Sequence, residues 1–213
     1  MITEIDEQKG RAARKKLRRD AILEVAGRYF LDHGFADTTM SAIAASCGGS
    51  KSTLWTYFSS KEELFATYLD SKLDQFGHSL NHALAGEGGT AATLRRVGIV
   101  FLDRVLSREG CALRQLIVSE GRRFPELAQA FFIRGPAAIR DRLTFYITDE
   151  MASGRLKSGD SETMARQFLA LCQSGWYADV FWYQPGPFDI DIAVAHDVEI
   201  AVGTFLGMWE SKI

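Results

Sequence analysis

Proline is scarce in this chain of 213 residues, with four in total, so few positions force an interruption of regular backbone. Alternating β-branched runs are almost absent too, which removes the usual sign of half-buried strands. Cysteine is equally thin. Cys47, Cys111 and Cys172 are odd in number, far apart and without C-x-x-C spacing, so reduced thiols are expected rather than a disulfide framework or a zinc knuckle. The longest stretch free of Asp, Glu, Lys and Arg lies between Asp37 and Lys51, 13 residues rich in Ser, Thr and Gly. That falls short of the roughly 20 apolar residues of a spanning helix, and no membrane partner is expected. The start, Met1-Ile-Thr-Glu-Ile-Asp-Glu7, has no basic region followed by an apolar stretch, which points to the cytoplasm. No Gly-rich phosphate loop, nucleophile motif or metal signature occurs, so catalysis has little support and no cofactor is expected. His78 and His82 stand four apart, but no acidic residue or cysteine completes a metal motif beside them.

What is present is an ordinary globular composition, 46% hydrophobic and 24% charged. The formal net charge of -2 hides an asymmetry. Residues 1–61 carry 10 Lys and Arg against 7 Asp and Glu, a net of +3, while residues 62–213 carry 15 against 20, a net of -5. Within the first part, Lys9, Arg11, Arg14, Lys15, Lys16, Arg18 and Arg19 follow one another with no acidic residue among them. By itself such a run is a solvated tail; beside a nucleic-acid-binding element it is a phosphate-seeking arm.

Apolar residues at three- and four-residue steps make the whole chain all-α. Ile22, Ala26, Tyr29 and Phe30 share one stripe of a helix over about 17–33, with Gly34 in the usual stop position. Thr38 or Thr39 can cap a short helix from Met40 to about Cys47, and Cys47-Gly48-Gly49 breaks it. Ser50 is a natural cap for a second short helix through about Tyr57, and Ser60-Lys-Glu-Glu63 has the form of a capping box opening a long one. Residues 1–60 then form a head and residues 61–213 a body. Further helices are expected around 94–105, 113–120, from Pro125 onward, over 168–182 and over 194–209, with 85–90 and 184–187 as loops. Gly135-Pro136 either kinks or divides the helix that contains it.

Two short helices joined by a tight glycine turn, behind a longer first helix, are the layout of a helix-turn-helix DNA-binding unit, whose second short helix enters the major groove. Here that helix is Ser50-Lys51-Ser52-Thr53-Leu54-Trp55-Thr56-Tyr57. It supplies a cation, small hydroxyls and two aromatics with polar tips, all suited to phosphates and base edges. Leu54 and Phe58, four apart, are left to the core.

The pattern Phe30-x-x-x-Gly34-Phe35-x-x-Thr38-Thr39-Met40-x-x-Ile43-Ala44, then Ser50-Lys51-x-Thr53-Leu54-Trp55-x-Tyr57-Phe58, then Ser60-Lys61-Glu62-Glu63-Leu64-Phe65, resembles the TetR family of bacterial one-component transcriptional regulators. The resemblance implies a homodimer, each subunit with a three-helix DNA-binding head and a helical body that takes an inducer. It also implies DNA contacts, mostly to phosphates, at Thr39, Lys51, Ser52, Trp55, Thr56, Tyr57 and Lys61. Two features depart from the family pattern: Gly49 replaces a usual apolar residue in the turn, and Ser52 and Trp55 replace the more frequent Gly and Tyr. The operator sequence is therefore this chain's own. Farther on, Glu120-Gly-Arg-Arg-Phe-Pro-Glu-Leu-Ala128 and Arg134-Gly-Pro136 are similar to the body of the AefR-like branch.

In the body, Phe101, Phe132, Trp176 and Tyr177 are candidate walls of a ligand cavity, with Glu120 and Gln173 as its orienting polar groups. The apolar faces of the last two helices serve as core, as a dimer seam, or as both. The expected function is a dimeric repressor, released from a near-palindromic operator in double-stranded DNA by a small aromatic or lipophilic inducer. The competing readings are a helical small-molecule carrier or enzyme with a vestigial head, and a non-specific DNA binder driven by the basic arm.

Overall fold

Residues 2–48, 51–182 and 190–211 are described in the computed structural model, and they form helices joined by short turns. The turn residues Gly49 and Ser50, and the loop expected at 184–187, lie outside the described residues. In chain order the helices are α1 (Ile2–Asp37), α2 (Met40–Ser46), α3 (Lys51–Trp55), α4 (Lys61–Ala85), α5 (Thr90–Leu106), α6 (Arg108–Glu120), α7 (Pro125–Phe132), α8 (Ala138–Ala152), α9 (Ser161–Cys172), α10 (Trp176–Trp182) and α11 (Ile190–Trp209). Among the described residues there is no strand, only an isolated antiparallel bridge between Leu156 and Glu210. No helix among them is long and apolar enough to cross a membrane.

The chain divides into two compact units. The first is residues 1–72 with 115–130, the second 73–114 with 131–213. The division thus falls twelve residues beyond the boundary expected at 60, and a segment around Glu120 joins the first unit. A linear charge count cannot reveal this, because 115–130 returns from far along the chain.

In the first unit, α1 starts at Ile2 rather than near residue 17. The basic run is therefore helical and, from Arg11 to Arg19, almost wholly exposed; Ala12, Ala13 and the Arg and Lys residues around them are all good helix formers. Ile22, Leu23, Ala26 and Phe30 of α1 are buried, as are Ile43 and Ala44 of α2, Leu54, Phe58, and Leu64, Phe65 and Tyr68 of α4. Phe30, Phe35 and Phe65 meet at ring-centroid distances of 5.2 to 5.6 Å, and Phe124 adds its edge to Phe35 at 4.9 Å.

Helix ends in this unit follow the capping logic with one shift. Thr39 caps α2, its hydroxyl accepting from the Ala42 N–H at 3.2 Å. Ser60 caps α4 by accepting from the Glu63 N–H at 3.0 Å. The Glu63 carboxylate, though, reaches the Ser59 N–H at 2.6 Å and the Ser59 hydroxyl at 2.5 Å, one residue before the place a capping box assigns it. These bonds hold the Glu63 carboxyl below the usual carboxylate range.

The second unit has its own core, in which Leu94, Val97, Phe101 and Leu102 of α5 meet Val194, Val198, Ala201 and Phe205 of α11, with Met164, Ala165 and Phe168 of α9. Gly135-Pro136 neither divides nor simply kinks its helix. Residues Ile133–Ala137 form a π-helical turn that carries α7 into α8 without interruption, and the wider turn has room for a ring that cannot donate a hydrogen bond. The stretch 168–182, expected as one helix, is two, broken at Gln173-Ser174-Gly175. A buried carboxylate explains the restart, since Asp197 of α11 accepts from the Trp176 N–H at 2.8 Å and so caps α10.

Glu150 is buried, with Arg155 donating from Nη2 to Oε1 at 2.6 Å and from Nε to Oε2 at 2.9 Å, and Thr90 donating to Oε2. The Arg155 bonds hold its carboxyl below the usual range despite burial. A depressed carboxylate stabilises the fold fully above the unfolded pKa, and the contribution is lost as pH falls through the folded one. Glu150→Gln is therefore expected to lower stability by about 1–3 kcal/mol at pH 7, breaking a part-exposed charged pair. That gap should close as pH drops below about 4.5. Thermal unfolding of both proteins across pH 3–8 checks it, and a gap constant down to pH 3 would contradict it.

Candidate functional site

The turn between α2 and α3 sets the geometry of the head. Cys47 closes α2, its N–H reaching the Ile43 carbonyl, and Gly48 follows with its N–H on the Ala45 carbonyl and φ of 63°, the left-handed region that glycine enters at least cost. Arg18 of α1 donates from Nη2 to the Cys47 carbonyl at 2.8 Å, a cation at the negative end of α2. Burial pushes the Cys47 thiol up, against the nearby Arg18 and Arg28. Thiolate is therefore scarce at neutral pH.

Over this turn α3 presents Ser52, Thr53 and Trp55 to solvent, and Thr56 after it is exposed too, with Leu54 and Phe58 buried beneath. Trp55 is 44% exposed in spite of its size, and Tyr57 is half-buried. Thr39 is exposed at the start of α2, while the Thr56 hydroxyl donates to the Thr53 carbonyl. Ser50 lies outside the described residues, and α3 begins at Lys51. The regular helix ends at Trp55, two residues sooner than expected, and Thr56 to Phe58 continue as a turn with the Tyr57 and Phe58 N–H groups on the Leu54 carbonyl.

Lys61 opens α4 beside the corner between α1 and α2. Its ammonium donates to the Phe35, Ala36 and Thr38 carbonyls at 2.7, 3.3 and 2.9 Å and lies 4.4 Å from the Phe35 ring centroid. All three of its donors are committed to the backbone, so a DNA phosphate would have to displace them. The same corner takes up Glu120, expected in the ligand cavity. Its Oε1 accepts from the Phe35 N–H at 2.6 Å and its Oε2 from the Ala36 N–H at 2.7 Å. Gly34, at φ 82° and ψ 166°, makes the bend that turns these two amides toward the carboxylate, and a Cβ there would lie 2.5 Å from Glu120 Oε1. The corner between α1 and α2 is thus held through its N–H groups by Glu120 and through its carbonyls by Lys61.

In the second unit a cavity of about 250 Å³ lies among α4, α5, α6, α9, α10 and the π-turn. Its lining includes Phe101, Gln173 and Tyr177, all three expected there, together with Leu73, Phe76, Phe131, Gly135, Pro136 and two arginines, Arg104 and Arg114. Phe132 and Trp176 are not among the lining residues and are 52% and 37% exposed. Phe131 takes the place foreseen for Phe132, since neighbours on a helix point about 100° apart and composition cannot choose between them. Trp176 is the first residue of α10, so its side chain belongs to a helix end where the apolar spacing implies an unbroken helix. Arg104 is signalled in the sequence only as a charge three residues after Phe101 on the apolar stripe of α5. His78 and His82 are exposed on α4, and among the described residues no group of three His, Cys, Asp or Glu side chains could hold a metal ion.

A helix-turn-helix with a polar, aromatic outer face, followed by a helical body with a cavity, defines a one-chain transcriptional regulator. Residues 22–68 match the bacterial regulatory proteins of the tetR family, and residues 92–211, more than half of the chain, match the AefR-like transcriptional repressor C-terminal domain. The chain belongs to the TetR family of transcriptional regulators. It is similar to the HTH-type transcriptional repressor ComR of Escherichia coli K12, 35% identical over 69 residues that span 32% of this chain and 33% of that protein. Among solved structures it resembles the flavonoid-responsive regulator FrrA, at 28% identity and a TM-score of 0.76, covering 93% of this chain and all of that one. A TetR-family regulator from Mesorhizobium loti shares the fold at 20% identity and a TM-score of 0.81, with 92% of this chain and 98% of that one covered.

Proposed function

We propose that this regulator binds a near-palindromic operator as a homodimer, most naturally as a repressor acting in the cytoplasm, and releases it when a small molecule fills the body cavity. The observation that carries the DNA reading is the pairing within α3 of buried Leu54 with exposed Trp55. An aromatic of that size set in solvent on a polar element is poorly accounted for by packing, and indole offers a donor and a flat face to DNA. Thr39, Lys51, Ser52, Thr53, Thr56 and Tyr57 are its proposed companions, and the helical arm before Asp20 adds phosphate contacts. Lys61 acts indirectly, by fixing the corner behind α2.

Dimerisation is assigned to α10 and α11. The second of these buries Val194, Val198 and Phe205 yet leaves Ile200 and Met208 exposed. Gly203 and Gly207, four apart, have open space where a Cβ would stand, so the helix of a second copy can approach closely. Two α3 helices related by a twofold axis require half-sites one helical turn apart or a multiple of it.

Response to a ligand is supported by the cavity and by the two helices that run from one unit to the other. α4 begins at Lys61, under the α1–α2 corner, and lines the cavity with Leu73 and Phe76; α6 lines it with Gly110, Leu113 and Arg114 and ends at Glu120. A ligand that favours one arrangement of these helices changes DNA affinity by its difference in affinity for the two arrangements. FrrA is flavonoid-responsive by name, which favours a small aromatic inducer here as well.

Selection of genomic fragments by the purified chain at physiological salt, with sequencing of what stays bound, tests the proposal. One enriched near-palindrome is expected. Enrichment without sequence preference would instead support a general DNA binder driven by the basic arm, and no retention at all would favour a carrier or an enzyme with an idle head.

A further inference from the structure

The polar groups in the cavity wall of the second unit are of two kinds. Its two guanidiniums are already engaged. Arg104 is paired with Glu109, which stands outside the lining, with Nη1 2.9 Å from Oε2. Arg114 lies over the Tyr177 ring, its guanidinium carbon 4.5 Å from the ring centroid, and donates to the Val105 carbonyl at 3.5 Å and to Cys111 Sγ at 3.6 Å, among other interactions. The Gln173 amide and the Tyr177 hydroxyl differ. Both residues line the cavity, both are half-buried, and neither of these two groups has a hydrogen-bond partner among the described residues. Leu73, Phe76, Phe101, Ile139 and Leu169 make up much of the remaining, apolar wall.

What this wall has left to offer a ligand is therefore uncharged. A carboxylate entering it has to draw a guanidinium from its present partners, and taking Arg104 leaves Glu109 without its counter-charge. An ammonium finds the Gln173 and Tyr177 oxygens but no carboxylate, since no Asp or Glu is among the lining residues, and a desolvated charge needs an opposite one beside it. A hydrocarbon escapes both costs, yet it strips water from the amide and the hydroxyl without replacing the lost hydrogen bonds. A neutral molecule with a hydroxyl or a carboxamide does replace them, because the Gln173 amide donates and accepts at once. Size narrows the choice further. About 250 Å³ corresponds to the liquid volume of roughly eight water molecules, enough for one or two fused rings bearing one such group.

We propose that the effector of this regulator is an uncharged molecule of one or two rings with a single neutral hydrogen-bonding group, held at that group by the Gln173 amide and the Tyr177 hydroxyl while its rings lie against Phe76, Phe101 and Ile139. The proposal rests on the reading of the second unit as the ligand-binding body and adds the charge, size and polar chemistry of what it binds. It also gives Glu109 a part in selectivity. By neutralising Arg104 from outside the lining, it keeps the cavity from favouring anions.

Equilibrium dialysis of the full chain against 2-naphthol, 2-naphthamide, naphthalene, 2-naphthoate and 2-naphthylmethylammonium, which share one ring system, tests it. At least one of the two neutral polar probes is expected to bind about tenfold or more tighter than naphthalene, the carboxylate and the ammonium. That ranking, read in the unaltered chain, needs no variant to fold. Gln173→Leu should weaken the favoured probe about tenfold and leave naphthalene unchanged. Glu109→Gln, which removes the counter-charge of Arg104, should leave the favoured probe unchanged and strengthen 2-naphthoate about tenfold. Naphthalene bound as tightly as the polar probes, a charged probe bound more tightly than both, or a favoured probe indifferent to Gln173→Leu overturns the assignment while leaving the cavity as a ligand site. A 2-naphthoate affinity indifferent to Glu109→Gln overturns the part given to Glu109. No binding by any probe, from a chain that still selects its DNA site, overturns the ligand-binding reading and this inference together.

Discussion

Replacing Glu120 with Ala is expected to cost the first unit about 2–4 kcal/mol, on the scale of two hydrogen bonds from backbone amides to a charged acceptor, and to weaken operator binding at least tenfold. Without the carboxylate, the Phe35 and Ala36 N–H groups, 2.6 and 2.7 Å from its two oxygens, are left to find water in a part-buried corner. The bend at Gly34 then loses what fixes it, and α2, which starts at Met40, loses its alignment to α1. Glu120→Gln keeps one carbonyl acceptor and should fall between wild type and Ala. Gly34→Val attacks the same corner from the other side. Its φ of 82° with ψ of 166° is a region that β-branched residues do not populate, and its Cβ would collide with Glu120 Oε1. Urea unfolding read at Trp55, beside titration of an operator duplex, measures both effects. Unchanged midpoints for Glu120→Ala and Gly34→Val would mean that Lys61 alone holds the corner.

The parts of this molecule that are legible in the sequence are those whose physics is local. Thr39 as a cap, Ser60 as a cap, Gly48 at the break and Leu54 with Phe58 as the buried pair of the second short helix all depend on residues within one turn of one another, and the structure keeps each of them. Roles set by long-range partners are not legible. Glu120 has the composition of a cavity residue, an acid near the end of an amphipathic helix, and its true partners lie 84 and 85 residues earlier in the chain. The partners of Lys61, the Phe35, Ala36 and Thr38 carbonyls, likewise lie 26, 25 and 23 residues earlier in the chain. The break at Gly175 is hidden because apolar spacing continues across it. Only Asp197, on another helix, shows that a new helix starts at Trp176. Arg104 and Arg114 are hidden for a related reason: charges near apolar stripes usually reach solvent, and only the packed second unit shows both guanidiniums at a cavity wall.

Within the head, the two classes of DNA-binding residue should separate under mutation. Trp55→Ala combined with Tyr57→Ala is expected to reduce affinity for the selected operator about a hundredfold, as direct interactions with base edges are typically worth about 1–3 kcal/mol each. Affinity for an unrelated duplex should change little. Arg14→Gln, Lys15→Gln and Lys16→Gln, on the exposed first part of α1, should do the reverse. They should weaken every duplex alike and lower the slope of log affinity against log salt by about 0.9 for each phosphate no longer neutralised. The distinction is physical, because α1 offers those three residues only exposed charge, whereas α3 offers Trp55 as a shaped and polar surface over a buried Leu54. Titrations of both duplexes at several salt concentrations, for both sets of variants, measure it directly. If the Trp55 and Tyr57 pair weakened all duplexes equally while the arm changed sequence preference, recognition would lie in the minor groove beneath the helical arm, and α3 would serve to anchor the head on the phosphate backbone.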